Sequence, residues 1–365
     1  MTMKCVFITD PLVTRFGAVR PALLLSVELK RYGFETVLIS PRVSEDIKYM
    51  IEENGIEVID LGANFYITPQ LPTFEAWARA LFKQKHMLSL EDGVIINTSS
   101  CMIVNSHVYY AQGPMTRALD DIVLEIPRRY RYAYTLFGWV LKMLERRMVK
   151  RLRRMSKLFV TNSNFCKSMY EEWEVKVDEV IPPPLDCRLF SPIASRSEQD
   201  YVLTYFGVYG KESKYSVIKK LADSNIKIKA FGSKPGSIPK SLLKHPNIEY
   251  MGRVSDEELV NLYSNALYTL FTFNHEPFGY IPVESMACGT PVLTYNKQGP
   301  RETIINGVTG WLADSDRKLV QIAVRIWKEG YPSWMRSECR ERALEFDVKT
   351  IADRWLAIIK SLIEK

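Results

Sequence analysis

No two of the six cysteines (Cys5, Cys101, Cys166, Cys187, Cys288 and Cys339) stand close enough for a CxxC pair, so neither a zinc ribbon nor a thioredoxin-type site is signalled. The pattern is that of reduced, mostly buried thiols in a cytosolic protein. Runs of about 18 apolar residues are missing too, so no transmembrane helix is expected. The first apolar run, Cys5 to Ile8, is too short for the core of a signal peptide. No D-x-D pair stands out as a metal motif. Asp120–Asp121 is adjacent rather than spaced, and reads as a helix-face or loop pair. Neither a catalytic metal nor another cofactor is expected.

What is present is ordinary for a folded protein. The 365 residues allow two or three domains with real hydrophobic cores. Apolar residues make up 47% and charged residues 25%. That balance excludes disorder, collagen-like repeats and a disulfide-stapled mini-domain.

The formal charge of +7 is not spread evenly. Between Pro127 and Lys157 stand eleven Lys/Arg and one acid, Glu145; the remaining chain carries 38 basic and 41 acidic residues. Within this segment Phe137, Val140, Leu141, Leu144, Met148, Leu152 and Met155 recur at helical spacing. Arg146, Arg147, Lys150, Arg151, Arg153 and Arg154 lie largely off that stripe. Tyr130, Tyr132, Tyr134 and Trp139 lie at its upstream end. An amphipathic, cationic and aromatic helix suits an anionic membrane surface, where each Lys/Arg contributes about 1 kcal/mol. The same features can bind RNA phosphates. An ordinary domain helix, with Leu144 and Met148 in a core and a solvated basic face, has this pattern as well. Membrane contact and an ordinary solvated helix both stay open, and no nucleic-acid partner is expected.

Apolar runs alternate with helical patterns through the first half. Strands are expected at Cys5–Thr9, Thr36–Ser40, Glu57–Asp60, Val94–Asn97 and Leu158–Thr161. Helices are expected at Ala18–Tyr32, Ser44–Asn54, Thr73–Lys85 and Asn164–Trp173. Residues 181–200, with four prolines and several serines, read as a linker. The rhythm restarts with strands at Tyr201–Phe206, Ile226–Phe231, Leu267–Phe273 and Pro291–Thr294, and helices at Tyr215–Asp223 and Asp256–Ser264. This alternation predicts two α/β domains with parallel sheets. Ligands of such sheets bind beyond the carboxyl ends of the strands. The default site is the cleft between the domains. There is no internal sequence repeat.

The stretch carrying most chemical information is HEPFGYIPVESMACGTPVLTY, His275 to Tyr295. Proline disfavours helical geometry in the residue before it, so Ile281 should not be helical and Pro282 should open a helix. That helix should stop at Gly289. Gly279, Tyr280 and Ile281 would then lie at a helix N-terminus, a natural anion site. Glu276 on the loop and Glu284 in the first turn could contact different hydroxyls of one polar ligand. The helix dipole alone favours an acid at Glu284 by roughly 0.3–1 kcal/mol, and Glu276 alone could be a solvated carboxylate.

These residues resemble the retaining, nucleotide-sugar-dependent glycosyltransferases of family 4. The family's signature is a strand, Glu, a Phe-Gly turn, a proline-led helix with a second Glu eight positions on, then A-x-G-x-P-V. Here it reads Glu276, Phe278, Gly279, Pro282, Glu284, Ala287, Gly289, Pro291 and Val292. GPRETIINGVTGWL from Gly299, LFVTNSNFCKSMY from Leu158 and the closing FDVKTIADRWLAIIKSL also resemble family segments. The resemblance is strongest over 266–312 and weak over 41–150.

It implies a GT-B fold: two Rossmann-like, doubly wound α/β domains facing across a cleft. Residues 1–190 would lie on the acceptor side and 191–345 would bind the nucleotide sugar. A helix at 346–365 would cross back to the N-terminal domain. By the same resemblance, Glu284 would hold the ribose hydroxyls. Glu276 and the amides of Phe278 to Tyr280 would hold the donor sugar. The amides of Tyr280 and Ile281 would face the diphosphate. The family usually adds an arginine and a lysine from the first loop of the second domain. In YFGVYGKESKYS that loop opens at Gly207, and Val208 stands where arginine is common. Lys211 or Lys214 could supply the charge, Lys214 being favoured. In HVYYAQGPMTRALDD, Gln112 stands where related enzymes often have a histidine that contacts the sugar. Glutamine can donate a hydrogen bond but cannot act as acid or base. His107 could substitute, or could point elsewhere from a strand-like segment. Gly17 corresponds to a glycine-rich turn facing the acceptor and diphosphate, although one glycine before a helix is commonly just a turn and falls short of G-x-G-x-x-G.

The implied activity is transfer of a hexose from a GDP- or UDP-hexose to a hydroxyl acceptor with retention of configuration. Negative charge growing on the departing diphosphate would be stabilised by helix-terminal amides and Lys214. Positive charge at the sugar carbon would be favoured by neighbouring carboxylates. The acceptor hydroxyl would attack the face that the diphosphate leaves, with a phosphate oxygen as base. The basic helix suggests a lipid-linked sugar or polyprenyl phosphate acceptor. Arg146, Arg147, Lys150 and Arg151 would then touch an anionic membrane, on the cytoplasmic, inner face. Two other classes stay open: a nucleotide-sugar epimerase of related fold, and a non-catalytic nucleotide-sugar-binding subunit.

Overall fold

A computed structural model describes residues 3–13, 17–66, 72–83, 86, 93–126, 128–193, 200–207, 213–232 and 238–364. The chain divides into two compact units. The first comprises Met1–Arg117, Ala133–Pro184 and Val348–Lys365, and the second Ala118–Tyr132 and Leu185–Asp347. The resemblance implies contiguous blocks of 1–190 and 191–345 with a returning helix at 346–365; the contacts assign Ala118–Tyr132 to the second unit as well.

The first unit holds a seven-stranded parallel sheet. Its strands are β1 (Lys4–Ile8), β2 (Glu35–Ser40), β3 (Glu57–Asp60), β4 (Val94–Asn97), β5 (Ser106–Ala111), β6 (Ser156–Thr161) and β7 (Glu179–Val180), in the order β3-β2-β1-β4-β5-β6-β7. Register is fixed by apolar residues buried on both faces: Val6 lies beside Val37 and Ile95, and Phe7 beside Leu38 and Ile96. Such two-sided burial is why these strands read as continuous apolar runs. Helices α1 (Arg20–Arg31), α2 (Glu45–Glu53), α3 (Pro72–Ala80), α4 (Met115–Ile122), α5 (Arg128–Met155) and α6 (Asn164–Glu171) connect them. Strand β5 is a full member of the sheet, although its mixed sequence, SHVYYA, gives only a strand-like signal.

The second unit repeats the plan. Strands β8 (Val202–Phe206), β9 (Ile228–Gly232), β10 (Ile248–Gly252), β11 (Thr269–Leu270), β12 (Val292–Tyr295) and β13 (Gly310–Ala313) are all parallel, in the order β10-β9-β8-β11-β12-β13. Between them lie α7 (Tyr215–Asp223), α8 (Lys240–Leu243), α9 (Asp256–Asn265), α10 (Tyr280–Ala287) and α11 (Pro300–Thr303), followed by α12 (Asp316–Glu329) and α13 (Met335–Leu344). The strand expected over Leu267–Phe273 has only Thr269–Leu270 as strand. Beyond it the chain still bonds its neighbour, Phe271 N donating to Leu293 O at 2.9 Å. Each sheet is a doubly wound Rossmann-like layer, and in each the winding reverses beside its first strand. The reversal opens a crevice at the carboxyl ends of β1 and β4 in one unit, and of β8 and β11 in the other.

The last helix, α14 (Val348–Ile363), belongs to the first unit. Trp355 is fully buried there, edge-on to Tyr110 with 5.4 Å between ring centroids, and the Tyr110 hydroxyl donates to Ile181 O. The expected return of the C-terminal helix to the N-terminal sheet is therefore observed. At the second unit's boundary, Leu185 N donates to Phe346 O at 2.8 Å.

Helix α5 buries one face and exposes another. Glu145, Met148, Val149 and Leu152 are buried. Phe137 is 62% exposed, and so are Tyr132, Leu136 and Trp139 to similar extents. Tyr132, Leu136, Trp139 and Met143 follow one another at four-, three- and four-residue steps, one continuous exposed stripe. Helical periodicity alone cannot tell a stripe that faces a core from one that faces solvent. Glu145 accepts from Trp77 Nε1, from the amides of Met115 and Thr116, and from the Thr116 hydroxyl. It thereby caps α4. All six cysteines are buried free thiols. No helix among the described residues is long and apolar enough to cross a membrane.

Candidate functional site

The loop between β11 and α10 is built by glycine and a carboxylate. Gly279 takes φ 101°, ψ 73°, a left-handed conformation that a side chain rarely tolerates. A Cβ there would also approach Pro300 Cγ at 3.2 Å and Pro282 Cγ at 3.3 Å. This turn starts the helix at Tyr280, two residues earlier than the proline rule suggests, so Ile281 is helical and Pro282 is third. The expectation fails because the missing N–H of proline costs nothing in a first turn, whose amides have no intrahelical acceptor. Gly289, at φ 74°, stops the helix as expected.

The earlier start moves Glu284 into the second turn, where the dipole alone is a weaker reason for an acid. Glu284 is 6% exposed, and its Oε2 accepts from the Tyr263 hydroxyl of α9 at 3.0 Å. A buried carboxylate needs such partners. Glu276 behaves differently. Its Oε1 accepts from the amides of Gly279 at 3.0 Å and Phe278 at 3.3 Å. The loop's own carboxylate thus caps two of the amides that the resemblance assigns to the donor sugar, leaving Tyr280 and Ile281 to lead the helix.

A second layer fixes this loop. Glu276 N donates to Gln298 Oε1 at 2.7 Å, and Gly299 N to Glu276 O at 3.0 Å. Gln298 Nε2 donates to Asp121 Oδ2 at 3.1 Å, and the same oxygen lies 2.9 Å from His275 Nδ1. Asp121, which reads in sequence as a bland pair with Asp120, is thus a support for the loop.

Lys214 ends the segment after β8. Its amide donates to Thr272 Oγ1 at 2.9 Å. Its ammonium bonds Asp316 Oδ1 at 3.0 Å and sits 4.5 Å from the Tyr295 ring centroid. The Tyr295 hydroxyl donates to the same Asp316 oxygen at 2.7 Å. Burial works against the Asp316 carboxylate, but Tyr295 and Lys214 more than offset it and hold its pKa below the ordinary value. Gly207 N donates to Ser213 Oγ at 2.8 Å, and Ser213 Oγ to Tyr205 O at 2.7 Å. Ser213 so pins both ends of the segment whose Val208 and Lys211 lie outside the described residues.

One D-x-D spacing, Asp314-Ser315-Asp316, does occur. Asp314 accepts from Asn296 Nδ2 at 2.9 Å, while Asp316 serves Lys214 and Tyr295. No group of three or more His, Cys, Asp or Glu among the described residues could hold a metal ion.

In the first unit, Gly17 (φ 67°) opens a single 3-10 turn, and Gln112 Nε2 donates to Ala18 O of that turn at 2.7 Å. These two predicted residues do come together, beyond the carboxyl end of β5. The Gln112 amide, which also lies 3.5 Å from Thr98 O, thus points at backbone carbonyls and holds a turn. His107 is second in β5, toward the opposite end from Gln112, and its Nδ1 accepts from Ile95 N at 3.1 Å. Burial and nearby Lys157 depress its pKa. It does not stand in for the missing histidine.

The basic residues of α5 are largely engaged. Arg146 and Lys150 both bond Glu174 Oε2, at 2.7 and 2.8 Å, and Arg151 donates to Lys83 O at 2.9 Å. Arg147 is exposed.

Sequence reasoning missed Tyr263, Asp121, Ser213, Gln298 and Lys297. Gln298 and Lys297 directly precede the Gly299-Pro300 motif and could have been noticed. Tyr263 and Asp121 are remote in sequence and carry no signal.

Residues 192–343 match the family described as glycosyl transferases group 1. An α-1,3/1,6-mannosyltransferase of Neurospora crassa is 35% identical over 80 residues, 21% of this chain and 17% of the relative. One from Rhizomucor pusillus is 29% identical over 136 residues, 36% of this chain and 28% of the relative. A capsular polysaccharide biosynthesis glycosyltransferase of Staphylococcus aureus is 32% identical over 96 residues, a quarter of each. The chain thus spans less than a third of the length of these relatives. Among solved structures, Anabaena HepE in complex with UDP superposes with TM-score 0.69 at 16% identity, covering 98% of this chain and 100% of that one. WaaG, a glycosyltransferase of lipopolysaccharide biosynthesis, superposes with TM-score 0.68 at 16% identity, covering 97% and 99%. At that identity the likeness concerns the fold.

Proposed function

We propose that the chain transfers a hexose from a nucleotide sugar to a hydroxyl acceptor with retention of configuration, a reading supported by the match of residues 192–343 to the glycosyl transferases of group 1 and by two Rossmann-like units like those of the GT-B fold. The observation that carries this reading is the buried Glu284, held by Tyr263 in the helix that begins at the Glu276–Gly279 turn. The turn lies at the carboxyl end of β11, beside the winding reversal of its sheet. In the proposed roles Glu284 takes the ribose hydroxyls. The N-terminus of α10 and Lys214 face the diphosphate and stabilise the charge growing on it. Glu276 borders the sugar. The acceptor hydroxyl attacks on the leaving face, and a phosphate oxygen takes its proton. No metal is required in this scheme, since amides and lysines supply the positive potential.

The names of the relatives favour a mannosyl donor and a lipid-linked acceptor. Several are α-1,3/1,6-mannosyltransferases, and one from Mus musculus is a GDP-Man:Man(3)GlcNAc(2)-PP-Dol α-1,2-mannosyltransferase. HepE was solved with UDP-glucose, which keeps UDP-hexoses in the set to be tested. The test is thermal unfolding with GDP-mannose, GDP-glucose, UDP-glucose and UDP-galactose, followed by transfer to a polyprenyl-diphosphate-linked sugar. A donor at 100 times its Kd adds about 2.7 kcal/mol, a clear upward shift in Tm. One nucleotide sugar should stabilise the protein and be turned over at the same rate in EDTA. Stabilisation by none of them would overturn the reading. Release of a sugar isomer without acceptor would identify an epimerase, and binding without turnover a non-catalytic subunit.

We further place the protein at the surface of an anionic membrane, on its cytoplasmic face. Support comes from the exposed stripe Tyr132, Leu136, Trp139 and Met143 on a helix with an excess of basic residues. The contact differs from the one expected from charge alone, since Arg146 and Lys150 already pair with Glu174. Aromatic side chains at the interface would give the larger share of binding. Leu136→Ser/Trp139→Ser is expected to lower co-sedimentation with vesicles containing about a third anionic lipid by tenfold or more, without changing Tm. Equal binding by both proteins, or none by either, would remove the membrane from the proposal.

A further inference from the structure

Lys297 was singled out by neither its motif nor the family pattern, yet its surroundings are unusual. It follows β12 and is half-buried. Its ammonium lies 5.2 Å from the Phe273 ring centroid and 5.3 Å from that of Tyr295, the ring that also carries Lys214 at 4.5 Å. Two cations therefore share one aromatic ring. Lys214 has a carboxylate, Asp316, at 3.0 Å. Lys297 has none within ion-pair distance among the described residues. Burial and the charge of Lys214 both push its pKa down, with Asp121 and Asp316 compensating only from a distance. A half-buried cation without a counter-ion is costly, and such sites are candidates for binding an anion.

The position indicates which anion. Lys214, Phe273 and Lys297 follow β8, β11 and β12, three adjacent strands, at their carboxyl ends. The next residue, Gln298, holds the amide of Glu276, and Gly299 bonds its carbonyl. Lys297 is thus tied to the same turn that begins α10. In the sequence, Val208 stands where the resemblance expects a cation to grip a diphosphate, and valine offers none.

We propose that Lys297 is a diphosphate-binding residue of the donor site, supplying from the loop after β12 the charge that Val208 does not supply from the loop after β8. Together with Lys214 it brackets the anion, and the aromatic rings below keep both ammonium groups out of bulk water. This rests on the donor-binding reading above. A lysine that merely packs its stem on Phe273 and Tyr295 would share the geometry but not the ligand dependence.

The test compares wild type, Lys297→Met and Lys297→Arg in calorimetric binding of GDP, UDP, guanosine and uridine. The methionine keeps the apolar stem and removes the charge. Whichever diphosphate binds wild type should bind Lys297→Met at least tenfold more weakly, with its parent nucleoside unchanged. Lys297→Arg should stay within about threefold of wild type. In turnover, kcat should fall more than KM rises, because the charge on the leaving group is greatest in the transition state. Unchanged diphosphate affinity in a folded Lys297→Met overturns the assignment and leaves the donor site standing. Failure of wild type itself to bind either diphosphate overturns both. Lys297→Gln carries the same comparison should the methionine variant not fold.

Discussion

Glu284→Gln is expected to weaken binding of the nucleotide-sugar donor by ten- to a hundredfold while leaving the protein folded. The carboxylate is 6% exposed and already accepts one hydrogen bond, from the Tyr263 hydroxyl to Oε2. Hydrogen bonds to a charged acceptor are worth about 1.5–3 kcal/mol, and a carboxylate can accept from two vicinal hydroxyls at once. The amide retains one oxygen, enough for Tyr263, but loses the charge and the second acceptor. Tm should therefore move little while affinity falls. Tyr263→Phe tests the same arrangement from behind. It leaves the carboxylate but releases its orientation, and should cost only a few-fold in KM. Calorimetric titration of the variants with the donor found by thermal shift provides the measurement. Donor affinity equal to wild type in Glu284→Gln would show that the buried carboxylate serves packing alone.

Gly299→Ala is expected to damage the site by a different route. Gly299 has φ −58°, an ordinary conformation for any residue, so no backbone strain is involved. The constraint is space. A Cβ at this position would overlap the carbonyl oxygen of Pro277 and the amide nitrogen and Cα of Phe278. These are backbone atoms that cannot swing aside, so the Glu276–Gly279 turn itself must shift. Overpacking of this kind costs about 1–3 kcal/mol of stability. The functional loss should be larger, since a displacement of about 1 Å in a positioning element can cost roughly a hundredfold in rate. The expected result is kcat/KM down by about two orders of magnitude, with a Tm lowered by several degrees. Near-wild-type turnover in Gly299→Ala would mean that the turn does not position the reacting groups.

The sequence by itself determined the secondary-structure rhythm, because strands buried on both faces must be apolar throughout and the helices between them amphipathic. It also determined the local motif. Gly279, Glu284 and Gly289 are legible because a left-handed turn, an acid in a largely apolar helix and a helix stop each leave a mark at a fixed spacing. The same local rules mislead where geometry overrides them. The proline rule starts α10 at Pro282, but Gly279 sets the start two residues earlier. Only the tertiary structure decided which residues meet. Asp121 reaches the Glu276–Gly279 turn across more than 150 residues of chain, Tyr263 arrives from a neighbouring helix, and Lys214 and Lys297 converge on one tyrosine from β8 and β12, two strands of one sheet separated by β11. It also showed that the Gln112 amide donates to the backbone of the Gly17 turn and that Arg146 and Lys150 are already paired. A side chain's chemistry is local, but its partners are set by sheet order, and nothing in a single sequence encodes which loops follow adjacent strands until the sheet has formed.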